Sequence, residues 1–155
     1  MSDKLIKVLY VDDEVNNLNS FKATFRRDYD ITIAESGPEA MELLKNGLSV
    51  EIIITDQRMP NMTGVEFLEH VIPLFPQPVR ILLTGYTDIT AVVDAINKGQ
   101  VYHYLTKPWE ENALRIVIKN AYEIYDLRES NKLLTENLAK VNKQLEFLLR
   151  QNLIS

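Results

Sequence analysis

The sequence predicts an α/β fold in which helices cover both faces of a doubly wound, five-stranded parallel sheet. The first observation is that strand-like and helix-like segments alternate five times with short connections. Right-handed crossovers then place helices on both faces of the sheet. The second observation is residues 52–55 (IIIT), which are apolar and β-branched without polar alternation. Such a run is typical of a strand that is buried on both faces.

Each predicted strand is followed by a predicted helix, and several helices have clear start or stop signals. The predicted strands are residues 7–11, 30–34, 52–55, 79–83 and 101–105. After the first strand, apolar residues recur at helical spacing. Residues 36–39 (SGPE) combine a serine, a proline and an early acid, which is a good start for the second helix. Pro76 and Pro78 stop the third helix, and Gly99 closes the fourth.

The fifth helix is predicted to continue beyond the domain. No proline or glycine occurs between Trp109 and Leu149, a span far longer than the usual helix of about 11 to 12 residues. Apolar residues in this span alternate at spacings of three and four, which predicts a coiled-coil seam. Its a positions are Ile124, Asn131, Leu138 and Leu145, its d positions are Leu127, Leu134, Val141 and Leu148, and Val117 continues the alternation towards the domain. We therefore divide the chain into a domain, residues 1–125, and a dimerisation helix, residues 126–155, continuous with the fifth helix.

The polar residues of this helix predict a parallel homodimer. Asn131 lies at an a position, where asparagine fixes the register and favours two parallel strands. Glu123 at a g position faces Arg128 at an e position of the partner helix. The alternative is a long helix that folds back on its own domain. It is less favoured because the apolar stripe is narrow and its flanks are polar.

Composition excludes several classes of function. The 155 residues include no cysteine, which excludes disulfides, thiol catalysis and cysteine-ligated zinc. The two histidines, His70 and His103, are isolated in the sequence, so we expect no histidine metal site. The net charge of −5 lies in residues 1–108 and no basic stripe is present, so we expect no nucleic acid binding. Without a signal peptide or an apolar run of roughly 20 residues, we expect a cytoplasmic protein that does not enter a membrane.

Three carboxylates are predicted to meet at one edge of the sheet. Asp12 and Asp13 end the first strand, and Asp56 ends the third, which neighbours the first in the usual doubly wound order. Three acids this close repel one another unless a cation lies among them, and an oxygen-only cluster suits Mg²⁺. The alternative for Asp12 or Asp13 is simple capping of the first helix.

Two further side chains are predicted at the same edge. Thr84 ends the fourth strand and Lys107 follows the fifth. A hydroxyl group and an ammonium group complement a dianion, and an aspartate can attack phosphorus to form an acyl phosphate. The predicted site therefore combines a metal, a nucleophilic carboxylate and two groups that stabilise phosphoryl oxygens.

Residues 1 to about 125 resemble the receiver (CheY-like) domain of bacterial two-component response regulators. The resemblance lies in VDDE after the first strand, TDQRMPNMTG after the third, LLTGYTD after the fourth and YLTKPW after the fifth. Each string is weak by itself, but four in the same order and spacing are specific. The resemblance implies a flavodoxin-like (βα)5 sheet in the order 2-1-3-4-5.

The resemblance also implies the chemistry of the site. Asp56 would accept a phosphoryl group from a cognate histidine kinase or phosphotransfer protein, and Lys107 and Thr84 would contact its oxygens. The implied Mg²⁺ ligands are Asp12, Asp13, Asp56 and the backbone carbonyl of Arg58. Phosphorylation and dephosphorylation would be slow and self-catalysed, so we expect a signalling domain and not an enzyme with turnover.

The resemblance further implies a conformational switch. Thr84 would move towards the phosphoryl group and the ring of Tyr104 would turn inward. The peptide bond between Lys107 and Pro108 would be cis. Arg58 and Tyr86 would either overhang the site or simply face solvent.

The output is left open by the sequence. We expect the coil to transmit the phosphorylation state to a downstream effector domain or protein, and the end of the chain is either a boundary before an output module or a true terminus. One alternative function is a coiled-coil scaffold on a receiver fold that no longer depends on phosphate. Another is a phosphatase of the haloacid-dehalogenase type, which needs a second acid two residues after the nucleophile. Arg58 occupies that position here.

Overall fold

The computed structural model describes residues 4–154, except for the side chains of Tyr86, Leu153 and Ile154. The strands are β1 (Ile6–Val11), β2 (Tyr29–Ala34), β3 (Ile52–Asp56), β4 (Val79–Thr84) and β5 (His103–Thr106). The helices are α1 (Val15–Phe25), α2 (Gly37–Lys45), α3 (Gly64–Val71), α4 (Ile89–Asn97) and α5 (Glu111–Ile154), and a turn of 3-10 helix spans Tyr86–Asp88.

The five strands form one parallel sheet in the order β2-β1-β3-β4-β5. The predicted doubly wound α/β fold is therefore confirmed. Val11 of β1 pairs with Thr55 of β3, and Asp56 pairs with Leu83 of β4. This register brings the carboxyl ends of the central strands to the same height, which is where the polar site lies.

The sheet divides the core into two apolar layers. The layer shared with α1 and α5 includes Tyr10, Phe21, Phe25, Ile54, Leu114 and Ile118. The layer shared with α2, α3 and α4 includes Leu9, Ile53, Phe67, Leu68, Leu82 and Val92. All five residues of β3 are buried, as the uninterrupted apolar run predicts, because both faces of this strand contact helices.

Polar side chains cap the starts of helices α2 and α3. Ser36 caps α2, since its Oγ accepts a hydrogen bond from the Glu39 backbone N–H at 3.1 Å. Thr63 and Glu66 form a reciprocal capping box at the start of α3. These caps fix the points at which the chain leaves the loops on the two sides of β3.

The fifth strand begins two residues later than predicted. Val101 is buried but precedes the strand, which starts at His103. The side chain of Arg80 holds the preceding segment, because its Nε donates to the Gln100 carbonyl at 2.8 Å and its other nitrogens bind the carbonyls of Gly99, Pro76 and Pro78. A long-range contact of this kind is not visible in a local apolar pattern.

Helix α5 has a buried part and an exposed part. Leu114, Val117, Ile118 and Ala121 are buried in the domain core, and Ile124 packs against that core. From residue 130 to residue 152 every residue is exposed. Val117 and Ile124 thus pack within the domain, and Leu127 is the first exposed position of the predicted seam. Within the described residues, no helix, α5 included, has the length and apolar character to cross a membrane.

Candidate functional site

The three predicted carboxylates lie together at the carboxyl edge of the sheet. Asp12 directly follows β1, and its backbone N–H donates to the Ala34 carbonyl at 3.1 Å, so the chain is held at this point. Asp56 is the last residue of β3. Ligand oxygens of Asp12, Asp13 and Asp56 all lie within 4.8 Å of one another. The run of apolar residues before each acid determines this meeting point, because it determines where each strand ends.

The three acids differ in their exposure. Asp12 is fully buried and Asp56 is 5% exposed, whereas Asp13 is exposed. The site therefore combines two buried acids, Asp12 and Asp56, with one exposed acid, Asp13. Oxygen ligands arranged in this way fit a hard cation such as Mg²⁺, which also keeps several waters.

Lys107 bridges the two buried acids. It follows β5, and its backbone N–H donates to the Thr84 carbonyl at 2.9 Å. Its Nζ lies 3.0 Å from Asp56 Oδ2 and 3.3 Å from Asp12 Oδ2. The peptide bond between Lys107 and Pro108 is cis. Lys107, which the sequence predicts to contact a phosphoryl group, therefore lies beside both buried carboxylates of the site.

Burial and charge shift the pKa values of this pair. Burial raises the pKa of Asp56 above the usual value for a carboxyl group, although the hydrogen bond and charge of Lys107 act against it and the like charges of Asp12 and Asp13 add to the rise. Burial acts to lower the pKa of Lys107, but the hydrogen bonds and charges of Asp56 and Asp12 outweigh it and raise that pKa. One ammonium group therefore pairs with two buried carboxylates.

Thr84 and Tyr104 lie beside the acids on β4 and β5. Thr84 is fully buried, and its hydroxyl donates to the Gly85 carbonyl at 3.1 Å. Tyr104 is half-buried and packs against the core layer shared with α2, α3 and α4. Thr84 pairs with Thr106, and Leu82 pairs with Tyr104. The two predicted switch residues therefore lie on adjacent strands, and their positions in the strand register differ by two residues.

The loop after β3 returns closely to the site. The Gly64 backbone N–H donates to the Gln57 carbonyl at 2.9 Å. A Cβ at Gly64 would collide with the Asp56 carbonyl oxygen and lie 2.9 Å from a methyl group of Leu82. Only glycine allows the start of α3 to approach the end of β3 this closely.

The side chain of Arg58 contacts the turn that follows β4. Its side chain is exposed, and its guanidinium contacts the Thr87 hydroxyl at 3.3 Å and Asp88 at 3.5 Å. It therefore connects the loop after β3 with the turn after β4. The predicted position of the Tyr86 side chain lies outside the described residues.

Sequence reasoning missed two partners of Asp12. The Tyr10 hydroxyl donates to Asp12 Oδ2 at 3.1 Å, and Asn17 Nδ2 donates to the same oxygen at 3.2 Å. The period-two alternation of a strand, which places Tyr10 and Asp12 on the same side, was the available signal. The backbone N–H of Glu14 donates to Asp12 Oδ1 at 3.0 Å. Glu14 is itself the N-cap residue of α1 and has no side-chain cap hydrogen bond, so neither Asp12 nor Asp13 caps this helix as the alternative suggests.

The comparisons with known proteins agree with this geometry. The chain is 38% identical over 128 residues to the hydrogenase transcriptional regulatory protein HoxA of Cupriavidus necator, which covers 83% of this chain. HoxA of Bradyrhizobium diazoefficiens is 34% identical over 125 residues, or 81% of this chain. The chain spans about a quarter (26%) of the length of each of these relatives.

Solved structures are also similar to this chain over most of its length. A structure described as adenylate cyclase from Rhodopirellula baltica is 34% identical, covers 85% of this chain and 98% of its own, and has a TM-score of 0.83. A response regulator receiver domain protein from Clostridium thermocellum is 31% identical, covers 79% and 98%, and has a TM-score of 0.74. The family model for the response regulator receiver domain matches residues 8–119. This chain therefore belongs to the response regulator receiver domain family.

Proposed function

We propose that this chain accepts a phosphoryl group on Asp56 from a histidine kinase or phosphotransfer protein in the cytoplasm. The observation that carries the proposal is the position of Asp56, which ends a fully buried strand and lies 3.0 Å from Lys107 Nζ within a cluster of acids. A nucleophile fixed in this way can be approached in line from the open side of the sheet edge. The histidine P–N bond breaks as the P–O bond to Asp56 forms, and the imidazole takes up a proton.

The surrounding residues have separate roles in this reaction. Asp12, Asp13, Asp56 and the carbonyl of Arg58 would hold Mg²⁺, which offsets charge on the phosphoryl oxygens. Lys107 leaves Asp56 Oδ2 to bind a phosphoryl oxygen while keeping its contact with Asp12. The Thr84 hydroxyl exchanges its bond to the Gly85 carbonyl for one to another phosphoryl oxygen.

The arrangement favours a switch over a turnover catalyst. The position two residues after Asp56 carries Arg58, which is exposed and faces Thr87 and Asp88. A guanidinium group cannot act as the general acid that a phosphatase of the haloacid-dehalogenase type needs. The acyl phosphate is therefore expected to persist until slow, self-catalysed hydrolysis removes it.

The domain, residues 1–125, is proposed to signal through the dimerisation helix, residues 126–155. Support comes from the exposed seam positions, among them Leu127, Leu134 and Leu138, which are each more than 60% exposed. A lone helix with this stripe leaves apolar area in water, and pairing with a second copy removes it. Asn131 favours the parallel arrangement.

The two parts are proposed to communicate through Thr84 and Tyr104. Movement of Thr84 towards the phosphoryl group leaves room for the half-buried ring of Tyr104 to turn inward. This change alters the face formed by α4, β5 and α5, and α5 continues directly into the coil. A coupling of about 1 to 3 kcal/mol would be typical. The coil then passes the state to an effector domain or protein.

Intact mass and sedimentation of the chain with Mg²⁺ and acetyl phosphate test this function. We expect a mass gain of one phosphoryl group, which Asp56→Asn abolishes, and a change in dimer state or hydrodynamic shape. Asp30→Asn, on the exposed side of β2, is the matched control and should retain the modification. Absence of modification in the wild-type chain would leave the coiled-coil scaffold as the function.

A further inference from the structure

The charged residues in the outer part of α5 lie on one side of the helix. Every residue from 130 to 152 is exposed. In the heptad of the predicted seam, the charged residues of this part occupy only b, c and f positions: Lys132, Glu136, Lys140, Lys143, Glu146 and Arg150. The a, d, e and g positions of residues 130–149 therefore form one continuous face without a charge, which we call the uncharged face.

The e and g positions of this face differ from those of an ordinary two-stranded coil. In such coils these positions border the seam and often carry Glu and Lys, whose ion pairs determine the partner and its orientation. Glu123 and Arg128, next to the domain, follow that pattern. Beyond them, the g positions are Ser130, Asn137 and Gln144, and the e positions are Thr135, Asn142 and Leu149. The outer part of the helix thus lacks the flanking ion pairs that are typical of a dimer.

The seam residues also change along the helix. Asn131 at an a position favours two strands, whereas leucine at a with a β-branched residue at d favours assemblies of more than two. Leu138 at a and Val141 at d have the second pattern, and they are 63% and 48% exposed. The outer seam is therefore suited to more than two helices.

The polar groups of the uncharged face do not oppose a wider interface. The Thr135 hydroxyl donates to the Asn131 carbonyl at 2.9 Å, so its hydrogen bond is made within the helix. The side-chain amides of Asn137 and Asn142 each have donor and acceptor groups, so such side chains can bond to one another between helices. Leu149 at an e position adds apolar area. Burial of this face would therefore remove apolar area from water without leaving a charge unpaired.

We propose that the uncharged face of residues 130–149 joins two dimers of this chain into a tetramer. The proposal rests on the proposed function, because it requires the coil to pair. Since e and g lie next to a and d on the helix, they become covered when four helices surround one axis instead of two. The b, c and f positions keep their charges in water in both assemblies.

A second dimer fits this face better than a partner of another kind. A face without charges offers no ion pair to an acidic or basic protein and no cation to the phosphates of a nucleic acid. The same face on a second dimer presents matching leucines and amides. The face is also continuous with the dimer seam, so the tetramer extends an interface that the proposed function already requires.

Sedimentation equilibrium of the full chain, from micromolar to millimolar concentration, measures this association. We expect the wild type to change from two to four chain masses as the concentration rises. Asn142→Glu places charges at an e position, between the four helices, and should raise the dimer–tetramer Kd at least about tenfold. Glutamate is a better helix former than asparagine, so loss of the helix would not explain that result. Ala139→Glu is the matched control, because it adds the same side chain at an exposed b position and should leave this Kd within about threefold.

A second pair of variants tests the apolar part of the face. Leu149 and Phe147 are almost equally exposed, at 62% and 61%, but Leu149 lies at an e position and Phe147 at a c position. Leu149→Gln should raise the dimer–tetramer Kd about tenfold, because it removes apolar area that the tetramer buries. Phe147→Gln should leave this Kd within about threefold.

The possible failures are distinguishable. A wild-type chain that remains a dimer at every concentration would overturn this inference and leave the proposed function intact. Equal weakening of the tetramer by Asn142→Glu and Ala139→Glu would show that two dimers meet through another face, which also overturns it. A wild-type chain that remains monomeric would overturn the proposed pairing of the coil, and this inference with it.

Discussion

In most proteins, charged groups face water and large apolar groups are buried. The acid cluster and the exposed part of α5 both depart from this arrangement, in opposite ways. At the sheet edge, Asp12 is fully buried and Asp56 is 5% exposed, so charged groups lie inside the domain. In the outer half of α5, Leu127 is 67% exposed and Leu138 is 63% exposed, so large apolar groups lie in water. Both arrangements cost free energy in the isolated chain. Under the proposed function, a cation and a phosphoryl group offset the first cost at the edge of the sheet, and a second helix offsets the other along the coil.

Helix α5 connects the domain that contains the acid cluster to the exposed apolar stripe, so a change in one region could affect the other. Its first part supplies Leu114 and Ile118 to the domain core, and its second part carries the predicted seam. Ile124 packs against the domain while Leu127, one turn later, does not. The change from domain to coil therefore occurs within a single turn, where a small rotation of the helix alters both environments.

The largest expected effect comes from a charge in the seam. Leu133 and Leu134 are adjacent and almost equally exposed, at 60% and 61%, but only Leu134 lies at a d position. Burying an unpaired charge costs about 3 to 5 kcal/mol, so Leu134→Asp should weaken the dimer at least about 100-fold in Kd. Sedimentation equilibrium measures this change.

Leu133→Asp is the matched control, because its c position faces solvent in the dimer. It should leave the Kd within about threefold, since surface substitutions change free energies by about 0.5 kcal/mol or less. Equal weakening by both variants would mean that the exposed leucines pair in another register or cover the domain. The predicted seam would then be wrong.

A smaller effect is expected from the glycine behind the acid cluster. Gly64→Ala places a Cβ against the Asp56 carbonyl oxygen and Leu82, which should lower the free energy of unfolding by about 2 kcal/mol. Urea unfolding followed by circular dichroism measures this change. We expect Gly64→Ala to lower the stability of the domain and to leave the dimer interface of the coil unaffected.

Gly85, at the same edge of the sheet, is the control for Gly64. Its φ is −86° and no atom lies within 4 Å of the added Cβ. Gly85→Ala should therefore stabilise the domain by about 0.4 to 1 kcal/mol through the unfolded state. The same sign for both variants would contradict the close approach of α3 to β3.

The smallest expected effect is the dependence of stability on pH. Because burial raises the pKa of Asp56 in the folded state, the folded chain holds this proton more tightly than the unfolded chain, whose carboxyl has a pKa near 3.9. Asp56 therefore destabilises the domain progressively as the pH rises from the unfolded value through the higher folded value. Asp56→Asn should raise the free energy of unfolding at pH 7, and the difference should vanish below that window.

Urea unfolding across this pH range tests the sign, with Mg²⁺ as the control. The cation stabilises the folded wild-type chain and should do so less in Asp56→Asn, so the difference between the two should shrink or reverse. An Asp56→Asn variant that is less stable than the wild type at pH 7 without Mg²⁺ would show that the pair with Lys107 outweighs the cost of burial.

The strands and the meeting of the acids could be predicted from the sequence because both depend on local pattern. An apolar run such as residues 52–55 places a strand, and its end places Asp56. The order of the parallel strands was implied by the resemblance to receiver domains, and the structure confirms it. The coil seam is also periodic, so its spacing is visible without the fold. The absence of proline and glycine correctly predicted the length of α5.

Contacts between distant segments were decided only by the tertiary structure. Lys107 bridges Asp12 and Asp56 at 3.3 and 3.0 Å, and Arg80 Nε donates to the Gln100 carbonyl in the loop before β5. The sequence by itself determined which residues end strands and which face of α5 is apolar, because these follow from uninterrupted apolar runs and from apolar residues spaced three and four apart. Which side chain satisfies a given buried charge depends on distances between packed elements, and only the folded chain has those distances.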